Sequence, residues 1–123
     1  MIILAPISLG ELIDKITILE LKLEFLTDVK KLENVAVELS HLNKILNDLI
    51  IPDIVPERET LKLVNRRLWH IENYKRECEK NQMFGEEFIE AARQVYIKND
   101  LRAELKRRIN QIAGSTIIEE KSY

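Results

Sequence analysis

The chain has 123 residues, 46% of them hydrophobic and 33% charged, and a net charge of −2 from 19 basic and 21 acidic side chains. This composition excludes a disordered chain, fits one domain and gives no general reason to bind nucleic acid or an anionic membrane. Only three glycines and three prolines are present, and such scarcity of helix breakers favours helices over sheets. We expect a single all-α domain over residues 1–123, an antiparallel bundle of about four helices.

Targeting and membrane signals are weak throughout the sequence. The apolar run at residues 1–6 has neither the basic start nor the long apolar core of a signal peptide. No stretch approaches the ~20 apolar residues of a membrane span. Cys78 is the single cysteine, so no internal disulfide can form. The sequence therefore favours a cytoplasmic protein with no membrane partner and no nucleic-acid partner.

The first helix is predicted over about residues 9–27. Ser8 is the expected N-cap, and Glu11 completes a capping box with it. Two apolar stripes follow, so the helix must be covered from more than one side. The main stripe comprises Leu9, Leu12, Ile16, Leu19, Leu23 and Leu26. The second stripe, Ile18, Leu21 and Phe25, is our candidate interface, and we expect it to meet either the last helix or another chain.

The second and third helices are predicted over about residues 28–50 and 57–80, with an apolar loop between them. Thr27 or Asp28 is the expected cap of the second helix, and Pro56 suits the first turn of the third. Both helices carry apolar residues at heptad spacing. These are Val35, Leu39, Leu42, Leu46 and Leu49 in the second helix, and Leu61, Val64, Leu68 and Ile71 in the third.

The fourth helix is predicted over residues 86–113 and ends at Gly114. A heptad spacing maintained from Phe88 to Ile112 favours one long helix; the alternative is two helices, with Asp100 capping the second. Residues 115–123 form a tail. Both chain ends are expected to be extended, and residues 116–118 could pair with residues 2–4 as a small two-stranded ribbon, although isolated ribbons are marginal.

Sequence patterns for catalysis or metal binding are sparse. Glu38 and His41 form a Glu-x-x-His pair, but a di-iron bundle needs a second such pair, which is missing. Cys78 continues an apolar stripe and is interpreted as a core residue. The backbone amides near Gly10 leave room for an anion at the start of the first helix. We expect no catalytic residue, no metal and no cofactor.

The most informative polar feature is a basic ridge in the last helix, which meets the apolar seam. Its members are Lys98, Arg102, Lys106, Arg107 and Arg108. Charges near a seam must be paired or must hold a ligand. One interpretation is structural ion pairs with Asp14 and Glu20 of the first helix, another is an anion-binding groove, and a third is a plain solvated face. The candidate ligand-binding residues are Lys15, Lys22, Tyr96, Asn99, Arg102 and Lys106.

Two stretches carry a family resemblance, SLGELIDKITILELK at residues 8–22 and YIKNDLRAELKRRINQIAGSTIIEEKSY at residues 96–123. They resemble an uncharacterised family of small bacterial and phage helical proteins, a domain of unknown function. The resemblance implies a helical fold and no particular activity. It directs attention to four residues of the tail: Glu119, Glu120, Lys121 and Tyr123.

A second likeness is to the all-helical chorismate mutases, because FGEEFIE at residues 84–90 looks like the entry to their last helix. That likeness implies several arginines that clamp a dicarboxylate. The first helix here has no arginine and offers only Lys15 and Lys22, which disfavours the enzyme.

Our leading hypothesis is a non-enzymatic helical interaction module that forms a homodimer or docks on a helical protein. The alternative is a binding protein or chorismate-mutase-like enzyme that takes an anionic ligand on the basic ridge.

Overall fold

The computed structural model describes residues 1–122, and Tyr123 of the tail lies outside the described residues. Four helices are present: α1 (Leu9–Phe25), α2 (Val29–Asn47), α3 (Val55–Lys80) and α4 (Glu86–Ala113). The predicted all-α, four-helix class is confirmed. Among residues 1–122 no strand is formed, so residues 2–4 and 116–118 do not pair as a ribbon.

The first two helices begin at the predicted caps. The Ser8 Oγ accepts a hydrogen bond from the Glu11 amide at 3.2 Å, and the Asp28 Oδ1 accepts one from the Lys31 amide at 2.9 Å. Both helices end earlier than predicted, α1 at Phe25 and α2 at Asn47. Leu49, the last member of the predicted α2 stripe, therefore lies beyond the helix and is exposed, whereas Leu26, the last member of the main α1 stripe, still packs against the core. Leu23, within α1, is also exposed.

The other two helices also begin and end for local reasons. α3 begins two residues earlier than predicted, with Pro56 in its first turn, where a missing amide hydrogen costs little. α4 is one continuous helix of 28 residues, which confirms the interpretation that we favoured. It ends at Gly114, whose φ of 68° lies in the left-handed region that glycine adopts most readily.

α1 is the central element of the fold. It packs against α2, α3 and α4, whereas α2, among the four helices of the described residues, packs against α1 only. The hydrophobic core is therefore organised around α1, and one core cluster contains Ile16 of α1, Leu61 of α3 and Ile109 of α4, all three at 0% exposure. This position explains why α1 carries apolar residues on more than one side.

The second stripe of α1 ends against α3 of the same chain. Leu21 is 1% exposed, and the Phe25 ring stacks on Trp69 with their centroids 5.7 Å apart. The sequence prediction offered α4 or another chain as the neighbour of this stripe, so α3 is a correction. α3 continues for eleven residues beyond Trp69, so the joined ends of α3 and α4 extend past α1 as a helical hairpin.

Candidate functional site

An ion pair between a buried carboxylate and a half-buried arginine joins α1 to α4. The Asp14 side chain is 1% exposed and accepts two hydrogen bonds from Arg102, at 2.8 Å from Nε and 2.5 Å from Nη2. Arg102 also donates through Nη1 to Asn99 Oδ1 at 3.5 Å. Such a bidentate ion pair fixes both the distance and the orientation of the guanidinium and the carboxylate.

α3 completes the surroundings of this carboxylate. The Asn65 Nδ2 donates to Asp14 Oδ1 and to Thr17 Oγ1, each at 3.0 Å. The Thr17 hydroxyl in turn donates to the Asp14 backbone carbonyl at 2.8 Å. Asn65 and Thr17 are themselves buried. One carboxylate therefore links three helices through hydrogen bonds that satisfy buried polar groups.

A second charged group lies one turn further along α4. The Lys106 ammonium is 2.7 Å from Glu11 Oε2 and 2.8 Å from Glu119 Oε2. Its side chain is 11% exposed, whereas that of Glu119 is 59% exposed. Lys106 thus joins the start of α1 to the C-terminal tail.

The start of α1 lies directly against α4. The Gly10 amide donates to Asn110 Oδ1 at 2.7 Å, and both residues are buried. A Cβ on Gly10 would overlap the Lys106 carbonyl oxygen and lie 2.8 Å from Asn110 Oδ1. Glycine therefore permits the close approach of the two helices. The Gly10 amide is occupied by Asn110, which removes the anion site considered from the sequence.

Each of these charges is stabilised in its ionised form. Burial raises the pKa of Asp14, but the hydrogen bonds from Arg102 and Asn65 outweigh burial and hold that pKa below its usual value. Burial lowers the pKa of Lys106, but the hydrogen bonds to Glu11 and Glu119 outweigh it and hold the pKa above its usual value. The hydrogen bond to Asp14 likewise raises the pKa of Arg102. All three pKa values are therefore further from neutral pH than the ordinary values of these side chains.

The tail folds back along α4 and is held by ion pairs. Besides the Glu119 contact, Glu120 lies 3.5 Å from Arg107, and Lys121 lies 3.7 Å from Asp100. Tail and helix enclose a cleft of about 500 Å³ with charges of both signs on its walls.

The structure brings together four of the six predicted ligand-binding residues. Arg102, Asn99 and Lys106 lie in the cluster, and Lys15 joins it through Glu11 at 3.5 Å. Lys22 is half-buried further along α1, and Tyr96 is 55% exposed on α4. Whether any of them binds a ligand stays a prediction.

The ion pairs that the basic ridge forms agree in part with those predicted from the sequence. Asp14 pairs with Arg102 as expected, and Arg108 lies 3.8 Å from Glu57 of α3. The other predicted acid, Glu20, pairs instead with Arg58 and Lys62 of α3, at 3.6 and 3.7 Å. The reason is that this part of α1 runs beside α3.

Comparison with known proteins gives a family and no activity. A family of unknown function, DUF6165, matches residues 3–123, nearly the whole chain. The chain belongs to this family. No curated protein and no solved structure matches it. The resemblance to an uncharacterised domain is confirmed in that sense.

Three residues of the site in this DUF6165 chain were missed by the sequence reasoning: Thr17, Asn65 and Asn110. Asn65 follows Val64 of the α3 stripe, and Asn110 follows Ile109. A polar residue beside an apolar stripe usually lies at the boundary with solvent, so its burial depends on a third helix that the stripe does not reveal. Glu11 was identified from the sequence, but as the second residue of a capping box. Its carboxylate binds Lys106 instead.

Neither a metal-binding cluster nor a membrane-spanning helix is present among the described residues. Across residues 1–122, no group of three or more His, Cys, Asp and Glu side chains is placed to hold a metal ion. Over the same range, no helix has the length and apolar content that crossing a bilayer requires.

Proposed function

We propose that this chain is a non-enzymatic interaction module that binds another helix along an exposed face of α4. One observation carries the proposal, a row of residues spaced alternately three and four apart, which we term the α4 stripe. Its members are Ile89, Ala92, Tyr96, Asn99 and Ala103. Ile89 and Tyr96 are each 55% exposed. This spacing is typical of the seam between two helices.

The same face of α4 already packs against a helix further along. Continuing the alternation beyond Ala103 gives Lys106 and then Asn110, and both bind the start of α1. At the other end of the stripe, Ile89, Ala92 and Tyr96 remain exposed. Ala92 is small enough for a second helix to approach closely. The exposed half of the stripe therefore suits a helix supplied from outside the chain.

The ionisation of the polar cluster supports a structural role. A general acid or base works best with a pKa near the operating pH. In this cluster the pKa values of Asp14, Arg102 and Lys106 are all moved away from neutrality. Paired charges of this kind hold helices in register.

Incorporation of a photoreactive phenylalanine at position 96, in cells, tests the proposal. The same probe at position 37 of α2 is the control, because Val37 is 60% exposed and Tyr96 is 55% exposed. We expect a specific adduct at position 96, with the crosslinked peptide mapped by mass spectrometry to an amphipathic helix. Adducts at position 96 no more frequent than at position 37 would contradict the proposal.

A second candidate function rests on the environment of Lys106. One of its two carboxylate partners, Glu119, comes from the exposed tail and lines the cleft. A carboxylate or phosphate ligand that replaced Glu119 would satisfy the same ammonium. Glu119→Gln removes the competing charge, so we expect small dicarboxylates or phosphate to raise the melting temperature of this variant more than that of the wild type. Equal shifts in the two proteins would exclude Lys106 as a ligand site.

A further inference from the structure

We infer that the helix bound by the α4 stripe is α4 of a second copy of this chain, in antiparallel orientation. The inference rests on the proposed function and adds the partner and the register. Its basis is a row of charges beside the stripe, which we term the flanking charges: Glu86, Arg93, Asp100 and Arg107. They recur every seven residues, all are exposed, and their signs alternate along the helix.

The flanking charges lie directly beside the α4 stripe, where charged side chains of two paired helices contact each other. Ala92 and Asn99 are alternate members of the stripe, and Arg93 and Asp100 follow them directly. In heptad notation the stripe occupies positions a and d, and the flanking charges occupy position e. In an antiparallel pair each e position lies beside an e position of the partner, and these charges set partner and orientation.

The alternation is self-complementary when one helix is reversed. In one register Glu86 meets Arg107 of the second copy and Arg93 meets Asp100, and two-fold symmetry forms each pair twice. The same register places Ala92 against Ala103 and Tyr96 against Asn99 in the seam, which ends there because Lys106, the position opposite Ile89, is covered by Glu11 of α1 and Glu119 of the tail. A small residue opposite a small residue brings the helices close, and an asparagine in the seam favours one alignment.

Neighbouring registers are disfavoured by the same charges. A slip of one heptad in one direction places Arg93 opposite Arg93 and Glu86 opposite Asp100. A slip in the other direction places Arg93 opposite Arg107 and Asp100 opposite Asp100. Every one of these contacts joins like charges, which destabilises a helix pair. The charge pattern therefore selects one antiparallel register over its neighbours.

The tail lies over half of this surface. Glu120 pairs with Arg107 and Lys121 pairs with Asp100, the two flanking charges at the C-terminal end. In the dimer, Glu86 of the second copy would take the place of Glu120 beside Arg107. Arg93 of the second copy would likewise take the place of Lys121 beside Asp100. The tail and a second copy therefore compete for these side chains. A seam of about two heptads also buries much less surface than the ~1,600 Å² of a standard interface, so we expect weak, reversible dimers.

Charge exchange at the repeated pair Arg93–Asp100 tests the inference. Sedimentation of the full chain from about 10 to 500 µM spans the range in which a weak dimer forms. We expect Arg93→Asp and Asp100→Arg each to raise the dimer Kd about tenfold or more, because each places like charges together twice. The double variant restores opposite charges and should return the Kd to within about threefold of the wild type. Lys30→Asp on α2, an exposed side chain with the same change in net charge as Arg93→Asp, should behave as the wild type.

Two results would overturn the inference. A dimer whose Kd is unaffected by either single exchange does not use this register, and a wild-type chain that is monomeric throughout does not self-associate. Neither result decides the proposed function, because the crosslink at position 96 reports any helix on the stripe. Circular dichroism of each variant separates loss of association from loss of folding.

Discussion

Arg102 and Asp14 are separated by 88 residues of sequence, yet their side chains form two hydrogen bonds of 2.8 and 2.5 Å. Asp14 is 1% exposed, so its charge depends on protein groups instead of water. Removing one partner of such a pair leaves an uncompensated buried charge, whereas replacing both with apolar groups is often tolerated. The pair therefore makes opposite predictions for single and double substitutions.

Arg102→Met is expected to lower the free energy of unfolding by about 3–5 kcal/mol, because it leaves the Asp14 carboxylate buried without its cation. The double variant Asp14→Leu/Arg102→Met should recover most of that loss. Urea denaturation at neutral pH measures both. Lys30→Met breaks an exposed pair with Glu33 and should change stability by less than ~1 kcal/mol. A double variant less stable than Arg102→Met would show that the pair contributes more than its desolvation costs.

Acid is expected to weaken the fold through the same carboxylate. The pKa of Asp14 is lower in the folded chain than in the unfolded chain, so its stabilisation is complete above the unfolded value near 3.8. That stabilisation is lost as the pH falls through the folded pKa. Melting temperatures measured from pH 6 to pH 2.5 should therefore fall more steeply for the wild type than for Asp14→Leu/Arg102→Met. Parallel curves would mean that other carboxylates dominate, Glu119 among them, since its pKa is also lowered.

The sequence predicted the helices better than the polar cluster. The reason is that the patterns that define a helix lie within a few residues of one another, whereas the cluster joins residues that are distant in sequence. Stripes and caps such as Ser8 and Asp28 act within a few residues, so they place α1 and α2 without knowledge of the rest of the chain. The charge of Arg102 beside a seam required an acid, and Asp14 was one of two offered. Choosing Asp14 over Glu20 required the crossing of α1 over α4, which no local pattern contains.

Asn65 illustrates what local patterns cannot supply. Asn65 directly follows Val64, at the edge of the α3 stripe, where a polar side chain usually meets solvent. Asn73, eight residues later on α3, is exposed. Asn65 is buried only because α1 crosses α3 at this point and presents Asp14 and Thr17 to it.

Asn65→Asp is expected to place a second carboxylate about 3 Å from Asp14. Two carboxylates at that distance cannot both be ionised without a large cost, so one of them takes up a proton as the pH falls. We expect Asn65→Asp to be less stable than the wild type at pH 7 by more than ~2 kcal/mol, with a smaller deficit at pH 4. Asn73→Asp makes the same change at an exposed site and should show little loss at either pH. A deficit for Asn65→Asp that is constant with pH would contradict the shared proton.

Gly10→Ala tests the close crossing of α1 and α4. The added Cβ would meet the Lys106 carbonyl and Asn110 Oδ1, so the helices must separate and the hydrogen bond from the Gly10 amide lengthens. Overpacking of this kind costs about 1–3 kcal/mol, more than the ~1 kcal/mol that alanine gains over glycine within a helix. Thermal denaturation should show a net loss. In Gly85→Ala the Cβ meets nothing within 4 Å, so the effect should be limited to the helix cap. Equal stability of Gly10→Ala and the wild type would show that the crossing adjusts freely.

The tail provides the last prediction, which concerns self-association. Glu120 and Lys121 pair with Arg107 and Asp100, the side chains that a second α4 would need. Glu120→Ala/Lys121→Ala should therefore lower the dimer Kd severalfold, while Glu119 still binds Lys106. Glu59→Ala/Lys80→Ala removes one exposed acid and one exposed base from α3 and leaves the net charge unchanged, so its Kd should match the wild type. Sedimentation of the three proteins decides the matter, because a Kd that is unchanged or higher in the tail variant would mean that the tail does not compete with a second copy.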